Sequence, residues 1–367
     1  MPKKLIIAAV CARPFVQAAV RAGHEVVALD AFADEDTQRM ARQCYRISYE
    51  RGHFNTAQWL QTLRELRDFG ADGLVYGSGF EATPMLLEAA GEQIPVIGNK
   101  TEVLRRLKTP QHFFGMLDAL KIAYPPVRYD APPSLPGWLM KANAGSGGTH
   151  IRRVSANTTE IAPGVYYQRE IAGEAVSLLF AAAAGEIRII GFNSQWTVAA
   201  PDRPYRYGGV ASQVSLSPGI REQLVSAARA IAIETGLCGL NSLDAIVSAD
   251  SIHVLEINPR LSATFELYCG ADGGLFDLHL QACSGNLSLM PQLAERARAQ
   301  RVVYAPRQWR VPHAMDWPKW VADRPSADDL IAADDPLCSV SAEAETMEQA
   351  WAVALEHERT VLASLPR

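Results

Sequence analysis

A chain of 367 residues, 48% hydrophobic and 20% charged, is long enough for two or three packed units and ordinary for a globular protein. Its net charge of −5 gives no global attraction to nucleic acid or an anionic membrane, so any anionic ligand must be held by local basic groups. No apolar run reaches the roughly 18–20 residues of a membrane helix, and the scattered cysteines, with neither a C-x-x-C nor a Cys/His cluster, point to reduced thiols in a cytoplasmic protein.

The first apolar run, residues 5–10, is continuous, as in a parallel strand covered on both faces. It is short and stops at Arg13-Pro14, so it reads as a core strand rather than a signal peptide. A helix over 14–22 closed by Gly23, a strand over 25–30, helical spacing over 59–69 and short strands over 73–76 and 95–97 follow. Between the last two strands a helix is expected with Thr83 as N-cap, Pro84 at its first position and Gly91 closing it. This is a doubly wound α/β unit. A helical pair comes next: Thr101 is expected to cap the first helix, with Glu102 in its first turn, and Pro110 opens the second, which ends near Leu120. Pro125, Pro126, Pro132, Pro133 and Pro136 mark loops and turns. From 138 to 190 the pattern turns β-rich, with breaks at 144–148, Pro163-Gly164 and Gly185, as in a small antiparallel lobe. A helix over 218–235, a strand pair over 242–247 and 251–257 joined at Ala249-Asp250, and a helix over 274–283 are expected. The tail from Arg301 reads as a strand, a Trp-rich loop and a last helix from 346 to about 362.

The strongest chemical signal is Asp244 followed by Glu256-Ile257-Asn258-Pro259-Arg260. Residues i and i+2 of a strand share a face, so Glu256 and Asn258 project together, and Asp244 on the neighbouring strand can face the same space. Two carboxylates and an amide oxygen suit Mg²⁺ or Mn²⁺, and the Arg260 guanidinium suits phosphoryl or carboxylate oxygens. Acids on an otherwise apolar strand pair need a cation or donors, which argues against an incidental solvated face. A second signal is Lys141 at the end of an apolar strand, running into Gly145-Ser146-Gly147-Gly148. Such a loop can close on polyphosphate with its backbone N–H groups while the lysine neutralises a phosphate; alone it is equally a hairpin loop, and it is not a Walker P-loop. A third is the strand ending Gln168-Arg169-Glu170-Ile171, then Glu174. Its turn can offer backbone groups to an adenine edge, with Gln168 meeting the exocyclic amine and Glu174 the ribose. A fourth is Gly77-Ser78-Gly79-Phe80-Glu81, after an apolar strand and before a helix, where open α/β sheets bind ligands and helix N-termini attract anions. Glu81 there can hold a cationic amine or take its proton. His150 and five other histidines show no metal pairing, and the C-terminal tryptophans read as packing anchors.

In this order the motifs resemble the ATP-grasp superfamily, and more narrowly the predicted ATP-dependent carboligases, related to biotin carboxylase, of methanogenic archaea and methylotrophic bacteria. The narrower likeness rests on Asp30-Ala-Phe-Ala-Asp-Glu-Asp-Thr37, Tyr76-Gly-Ser-Gly-Phe-Glu81, Gly98-Asn-Lys100 and a tail containing Asp323-Arg-Pro. The resemblance implies an α/β ATP-grasp fold with an N-terminal Rossmann-like pre-ATP-grasp domain over 1–98. An ATP-grasp domain over 99–290 follows, with a β-rich lid lobe at about 125–170, and then a C-terminal segment over 291–367 packing on that core. It implies ATP bound by Lys108, Lys141, Gly145, Ser146, Gly147, Gly148, Gln168, Glu170, Ile171 and Glu174, and Mg²⁺ or Mn²⁺ held by Asp244, Glu256 and Asn258. Arg260, Lys141 and Glu81 would act in catalysis, and Gly77, Ser78, Gly79, Glu81 and Ser262 would contact the acceptor. The glycine loop and its lobe would fold down over ATP. Two departures stand out: Gln168 replaces an acid common at the start of the hinge, and Ala175 occupies the usual position of the ribose acid, with Glu174 before it.

The function implied is a C–N ligase that forms an acyl phosphate and releases ADP, acting in the synthesis of a one-carbon carrier such as a methanopterin or methylofuran. Its partners would be small-molecule carboxylates and amines, with a homodimer as the assembly and neither nucleic acid nor membrane involved. The alternatives are a biotin-carboxylase-like carboxylating enzyme and a catalytically silent nucleotide-binding regulator. A Rossmann oxidoreductase, suggested by the opening βαβ and Asp30, lacks G-x-G-x-x-G in its first turn.

Overall fold

The strand Lys4–Ala9 is buried at every position after Lys4, and its alternate side chains enter two different cores. Leu5, Ile7 and Ala9 pack with Phe15 and Val16 of the helix Arg13–Arg21 and with Phe265 and Phe276. Ile6 and Ala8 pack with Trp59, Leu63 and Phe80 on the other side. A continuous apolar run requires this double cover. The computed structural model of the chain describes residues 1–132, 136–154, 164–313 and 315–365, so the turns expected at Pro133 and Pro163 lie outside the described residues. Five parallel strands form the first sheet in the order Gln43–Arg46, Glu25–Asp30, Lys4–Ala9, Gly73–Tyr76, Val96–Ile97.

Two helix starts differ from expectation. The helix Met85–Gly91 begins beyond Pro84, and the Thr83 hydroxyl is buried without a hydrogen-bond partner instead of capping it. Thr101 is the first residue of the helix Thr101–Lys108 rather than its cap, because its hydroxyl donates to Glu88 (2.9 Å) on the preceding helix. Pro110 opens the helix Pro110–Ala119 as the fixed proline φ favours.

The β-rich stretch divides between two sheets. Val127–Arg128, Trp138–Ala142, Ile151–Arg153 and Val165–Arg169 form a separate four-stranded antiparallel sheet. Glu174–Ala183 and Glu186–Thr197, expected in the same lobe, belong instead to an eight-stranded antiparallel sheet. The reason is burial on both faces. Leu178, Phe180 and Ala182 face Ile220, Leu224 and Ile231 of the helix Pro218–Thr235, while Leu179 and Ala181 join the core of the first sheet. That helix is capped by the Ser217 hydroxyl, which accepts from the Ile220 amide (3.3 Å), and it stops at Gly236 in the left-handed region (φ 68°).

The large sheet runs Ser251–Asn258, Gly239–Ser248, Glu174–Ala183, Glu186–Thr197, Tyr207–Ser212, Ala297–Tyr304, Pro336–Ala344, Val321–Ala322. Its last three strands come from the C-terminal segment, which therefore extends the central sheet as well as packing on it. The helix Met347–Ser364 covers that end through Ala350 and Ala354, against Ala211, Ala297 and Ala299.

Asn99 joins the first sheet to the large one. It is 2% exposed, and its amide donates to the carbonyls of Cys238 (3.0 Å) and Pro259 (3.0 Å) and to Asn241 Oδ1 (2.8 Å), while its oxygen accepts from the Cys238 amide (2.9 Å). Truncation strands several buried polar groups at once. Asn99→Ala should lower unfolding stability by about 2–3 kcal/mol, read as a drop in the urea midpoint at unchanged m-value; a midpoint equal to wild type would show that the joint carries no load.

Candidate active site

The hairpin Gly239–Ser248/Ser251–Asn258 sets Asp244 directly opposite Glu256 and Ser242 opposite Asn258. The three expected metal ligands therefore converge. Asn258 Nδ2 lies 3.0 Å from Asp244 Oδ2 and 3.4 Å from Glu256 Oε1. Burial and the adjacent Glu256 charge push the Asp244 carboxyl up to about 7. Burial also opposes ionisation of Glu256, but the Lys108 ammonium outweighs it and holds that carboxyl well below its ordinary value. Lys108 comes from the helix Thr101–Lys108, whose Leu104 and Leu107 are buried, and its Nζ donates to Glu256 Oε2 (2.9 Å) and Asn258 Oδ1 (3.1 Å). Lys108 thus lies on the metal-type acids, not apart from them. Two facing carboxylates and an amide whose orientation can exchange oxygen for nitrogen fit a hard divalent cation.

Arg260 follows the strand and turns back over it. Its Nη2 reaches Asn258 Oδ1 (3.2 Å), and its Nε donates to Glu81 Oε1 (2.8 Å). Both side chains are more than nine-tenths buried. The Gly77–Glu81 turn thus meets the end of the strand Ser251–Asn258, joining residues 179 apart in sequence. The following helix begins only at Met85, the Gly79 amide donates to Glu81 Oε2 itself (2.7 Å) and the Gly77 amide to the Ala8 carbonyl (2.8 Å), so these two donors of the expected anion site are engaged within the protein. Gly77 and Gly79 serve packing instead: a side chain at either would press on Phe15 or Phe54. Burial raises the Glu81 carboxyl, but Arg260 and then Lys108 outweigh it and hold it below its ordinary value, which suits a fixed counter-ion better than a proton acceptor. Ser262 lies just beyond, buried, with its hydroxyl 2.8 Å from that of Thr264.

In the small sheet, Lys141 and Gln168 project from neighbouring strands, and Lys141 Nζ donates to Gln168 Oε1 (2.6 Å). The expected Gln168 contact to an adenine amine is therefore engaged in this state, while Gln168 Nε2 is buried without a partner. A neutral amide cannot compensate a buried ammonium, and burial pulls Lys141 down to about 8. The hinge amides of Arg169 and Glu170 donate to Pro126 and Gly137 carbonyls, which leaves Ile171 at the turn. The Glu170 carboxylate is held by Arg153 (3.0 Å) and the Tyr205 hydroxyl. Glu174 is exposed at the start of its strand. In the loop, Gly147 O accepts from the Tyr207 amide (2.9 Å), Ser146 O accepts from the Thr149 hydroxyl (3.3 Å), and a side chain at Gly148 (φ 69°) would collide with the Tyr205 carbonyl. A side chain at Gly145 would collide with the His150 ring.

A small, half-open cleft lies between these parts, lined by Lys108, Phe114, Gly145, His150, Tyr166 and Glu256 among others. Sequence reading passed over His150 and Tyr166 here, and Gln195, which donates to Asp244 Oδ1 (3.1 Å). The signal for His150 was its place directly after the glycine loop; burial pushes it down to about 4, so it is neutral.

Residues 112–264 match the family model of the ATP-grasp domain. The chain has the ATP-grasp fold. Over 99% of its length it superposes on pyruvate carboxylase from Rhizobium etli with a TM-score of 0.75 at 15% identity, while spanning only 39% of that chain. It is similar over 97% of both chains to the L-amino acid ligase from Bacillus licheniformis (TM-score 0.70, 13% identity). It is also similar to N5-carboxyaminoimidazole ribonucleotide synthetase in its ADP complex (TM-score 0.69, 14% identity, 98% of this chain and 97% of that one). No curated protein matches the chain by sequence. Among the described residues, no helix is long and apolar enough to cross a membrane. Asp30, the acid behind the oxidoreductase alternative, is fully buried and accepts the amides of Ala12, Phe32 and Ala33 (2.7, 2.7 and 3.0 Å).

Two outcomes follow. On the expectation that Asp244 is a metal ligand, protons compete with the ion, so apparent Mn²⁺ affinity, measured calorimetrically, should fall by about ten-fold per unit as pH drops below about 7 and level off above it. A flat profile between about pH 5 and 8 would remove Asp244 from the metal site. Glu81→Gln should leave nucleotide affinity within about three-fold of wild type and lower acceptor kcat/KM by about ten-fold or more; weakened nucleotide binding with intact acceptor kinetics would place Glu81 on the nucleotide.

Proposed function

We propose that this ATP-grasp chain is an ATP-dependent carboxylate–amine ligase that forms an acyl phosphate and releases ADP and phosphate. The observation that carries the reading is the gathering of buried cations around an acid pair: Lys108 bonds Glu256 at the edge of the cleft, Arg260 reaches Asn258 beside Asp244, and the charge of Glu256 is felt by the buried Lys141. Asp244, Glu256 and Asn258 would hold Mg²⁺ or Mn²⁺, which when bound neutralises phosphate charge. Lys141, lacking an anionic hydrogen-bond partner, gains one when a phosphate oxygen replaces Gln168. In the first step a substrate carboxylate oxygen bonds to the γ-phosphorus and ADP leaves. In the second the amine nitrogen bonds to the acyl carbon, phosphate leaves, and the nitrogen loses a proton to solvent or substrate. Arg260, anchored by Glu81, is placed to hold carboxylate or phosphoryl oxygens through both steps. The likeness to carboligases of methanogens and methylotrophs supports an acceptor in the assembly of a one-carbon carrier.

A second reading, carboxylation, is favoured by the likeness to the carboxylase of Rhizobium etli. It shares the phosphorylated-carboxyl chemistry and differs in the acid used. The test is product analysis over a panel of carboxylic acids and amines, with bicarbonate alone as one arm. The expected result is stoichiometric ADP with an acid and an amine both required, and loss of turnover in Glu256→Ala with the fold retained. Bicarbonate-dependent ADP release without an amine would establish the carboxylating reading, and pyrophosphate as product would overturn both.

A further inference from the structure

Two motifs of the sequence play no part in the cleft: Asp30-Ala-Phe-Ala-Asp-Glu-Asp-Thr37 and Asp323-Arg-Pro. They meet each other at the carboxyl ends of the first two strands, where the C-terminal segment lies against the N-terminal sheet. Asp36 accepts the backbone amides of Asp323 (2.9 Å) and Arg324 (3.1 Å), and the Glu35 amide donates to the Arg324 carbonyl (2.9 Å). These bonds fix Asp323 beside Cys11, whose thiol donates to Asp323 Oδ1 (3.2 Å).

Asp34 completes the group. It is 5% exposed, it stands just before the helix Glu35–Met40 without its side chain capping that helix, and its Oδ2 is buried with no hydrogen-bond partner. Cys11, Asp34 and Asp323 each place one ligand-type atom within 4.8 Å of the other two. The charge balance is poor. Arg13 is the guanidinium packed here, and it is already divided between Glu266, which it grips with both Nη atoms (2.7 and 2.6 Å), and Asp323 (2.5 Å). Asp30 and Asp36 have their own backbone donors. Asp34 Oδ2 has no donor among the described residues, and a buried carboxylate oxygen without a donor calls for a cation or a proton.

We propose that Cys11, Asp34 and Asp323 bind one divalent transition-metal ion of the zinc class, pinning the C-terminal segment to the N-terminal sheet. A thiolate with two carboxylates selects zinc-like ions over Mg²⁺, which prefers oxygen alone. Bonds of about 2.0–2.3 Å around a tetrahedral ion set ligand atoms roughly 3.3–3.8 Å apart, so the trio needs to close by about 1 Å, within reach of side-chain rotation. Asp323 can keep one oxygen on Arg13 and give the other to the ion. On binding, the Cys11 thiol proton and any proton on Asp34 pass to solvent, and a water fills the fourth position. Spacing rules cannot find this site, because its ligands lie at positions 11, 34 and 323 and only the fold brings them together.

The test uses the full chain, stripped with chelator and titrated separately with Zn²⁺, Co²⁺ and Mg²⁺. In the Glu256→Ala chain, where the cleft acids are broken, the expected result is uptake of one Zn²⁺ per chain and a rise in Tm on the order of 5 °C at saturation. Co²⁺ should give a thiolate-to-metal charge-transfer band there, and Mg²⁺ should give neither effect in that background. Asp34→Asn should lose at least ten-fold in Zn²⁺ affinity, and Cys11→Ser should lose the cobalt band. The Glu256→Ala background separates this site from the cleft acids and leaves the proposal independent of the ligase reading. Zinc uptake unchanged in Asp34→Asn and Cys11→Ser, or no cobalt–thiolate band in wild type, would overturn it. So would a metal-free Asp34→Asn that is more stable than a wild type taking up no zinc, which is the result of a protonated buried acid.

Discussion

Two carboxylates facing each other across an apolar hairpin are the constraint from which the arrangement of this molecule follows. Asp244 and Glu256 face each other on one side of the hairpin, whose other side packs Leu243, Val254 and Ile257 into the core; Asp244 is the more enclosed, while the Glu256 side chain keeps 40% of its surface exposed. Like charges so placed are costly unless cations are brought to them. The chain brings Lys108 from one side and Arg260 from the other. Lys108 can arrive only if its helix lies against the end of the large sheet, and Leu107 of that helix packs in the same core as Leu243 and Ile257. Arg260 is held in turn by Glu81, which ties the N-terminal sheet to the same spot. The relation between the two sheets and the charge balance of the hairpin are therefore one problem with one solution.

How much of this was legible depends on how far each residue's partner lies along the chain. The shared face of Glu256 and Asn258 follows from strand periodicity alone, and the glycine loop after a strand lysine is equally local. The pairing of Arg260 with Glu81, across 179 positions, is not a local property, so Glu81 read as a substrate group when its first partner is an arginine. Thr83 and Thr101 had the composition of caps, yet one hydroxyl is buried unpartnered and the other is drawn to Glu88. Local capping is worth about 1 kcal/mol, little enough for a neighbouring helix to override. The strand Pro336–Ala344, rich in Ser, Cys and Ala, has weak intrinsic preference; it is a strand because Ala297–Tyr304 offers it an edge.

The departure at Gln168 acquires a physical meaning once Lys141 is seen beside it. An acid at that position would neutralise the lysine in the absence of nucleotide. A glutamine accepts one hydrogen bond and leaves the charge uncompensated, so burial depresses the ammonium. The glycine loop, meanwhile, is already docked, with Gly147 bonded to Tyr207 and Gly148 tight against Tyr205. On the ligase reading, a docked loop and a lysine whose hydrogen-bond partner is neutral both suit a polyphosphate.

On the ligase reading, metal and nucleotide cannot bind independently, and the reason is Lys108. Its ammonium serves as the cation of Glu256 and also touches Asn258. A divalent ion placed on Glu256 and Asn258 displaces that role and leaves Lys108 a buried charge without its carboxylate. A phosphate in the cleft that Lys108 lines restores the balance. Conversely, phosphate alone would draw Lys108 away and leave Asp244 and Glu256 facing each other with Arg260 as the nearer remaining cation, a state that favours a proton on Asp244. Either ligand alone therefore costs energy that the other returns, and the two affinities must rise together by the same factor. On that reading the linkage lies in the position of one lysine, which bonds Glu256 and Asn258 here and would turn to the phosphates once an ion took its place.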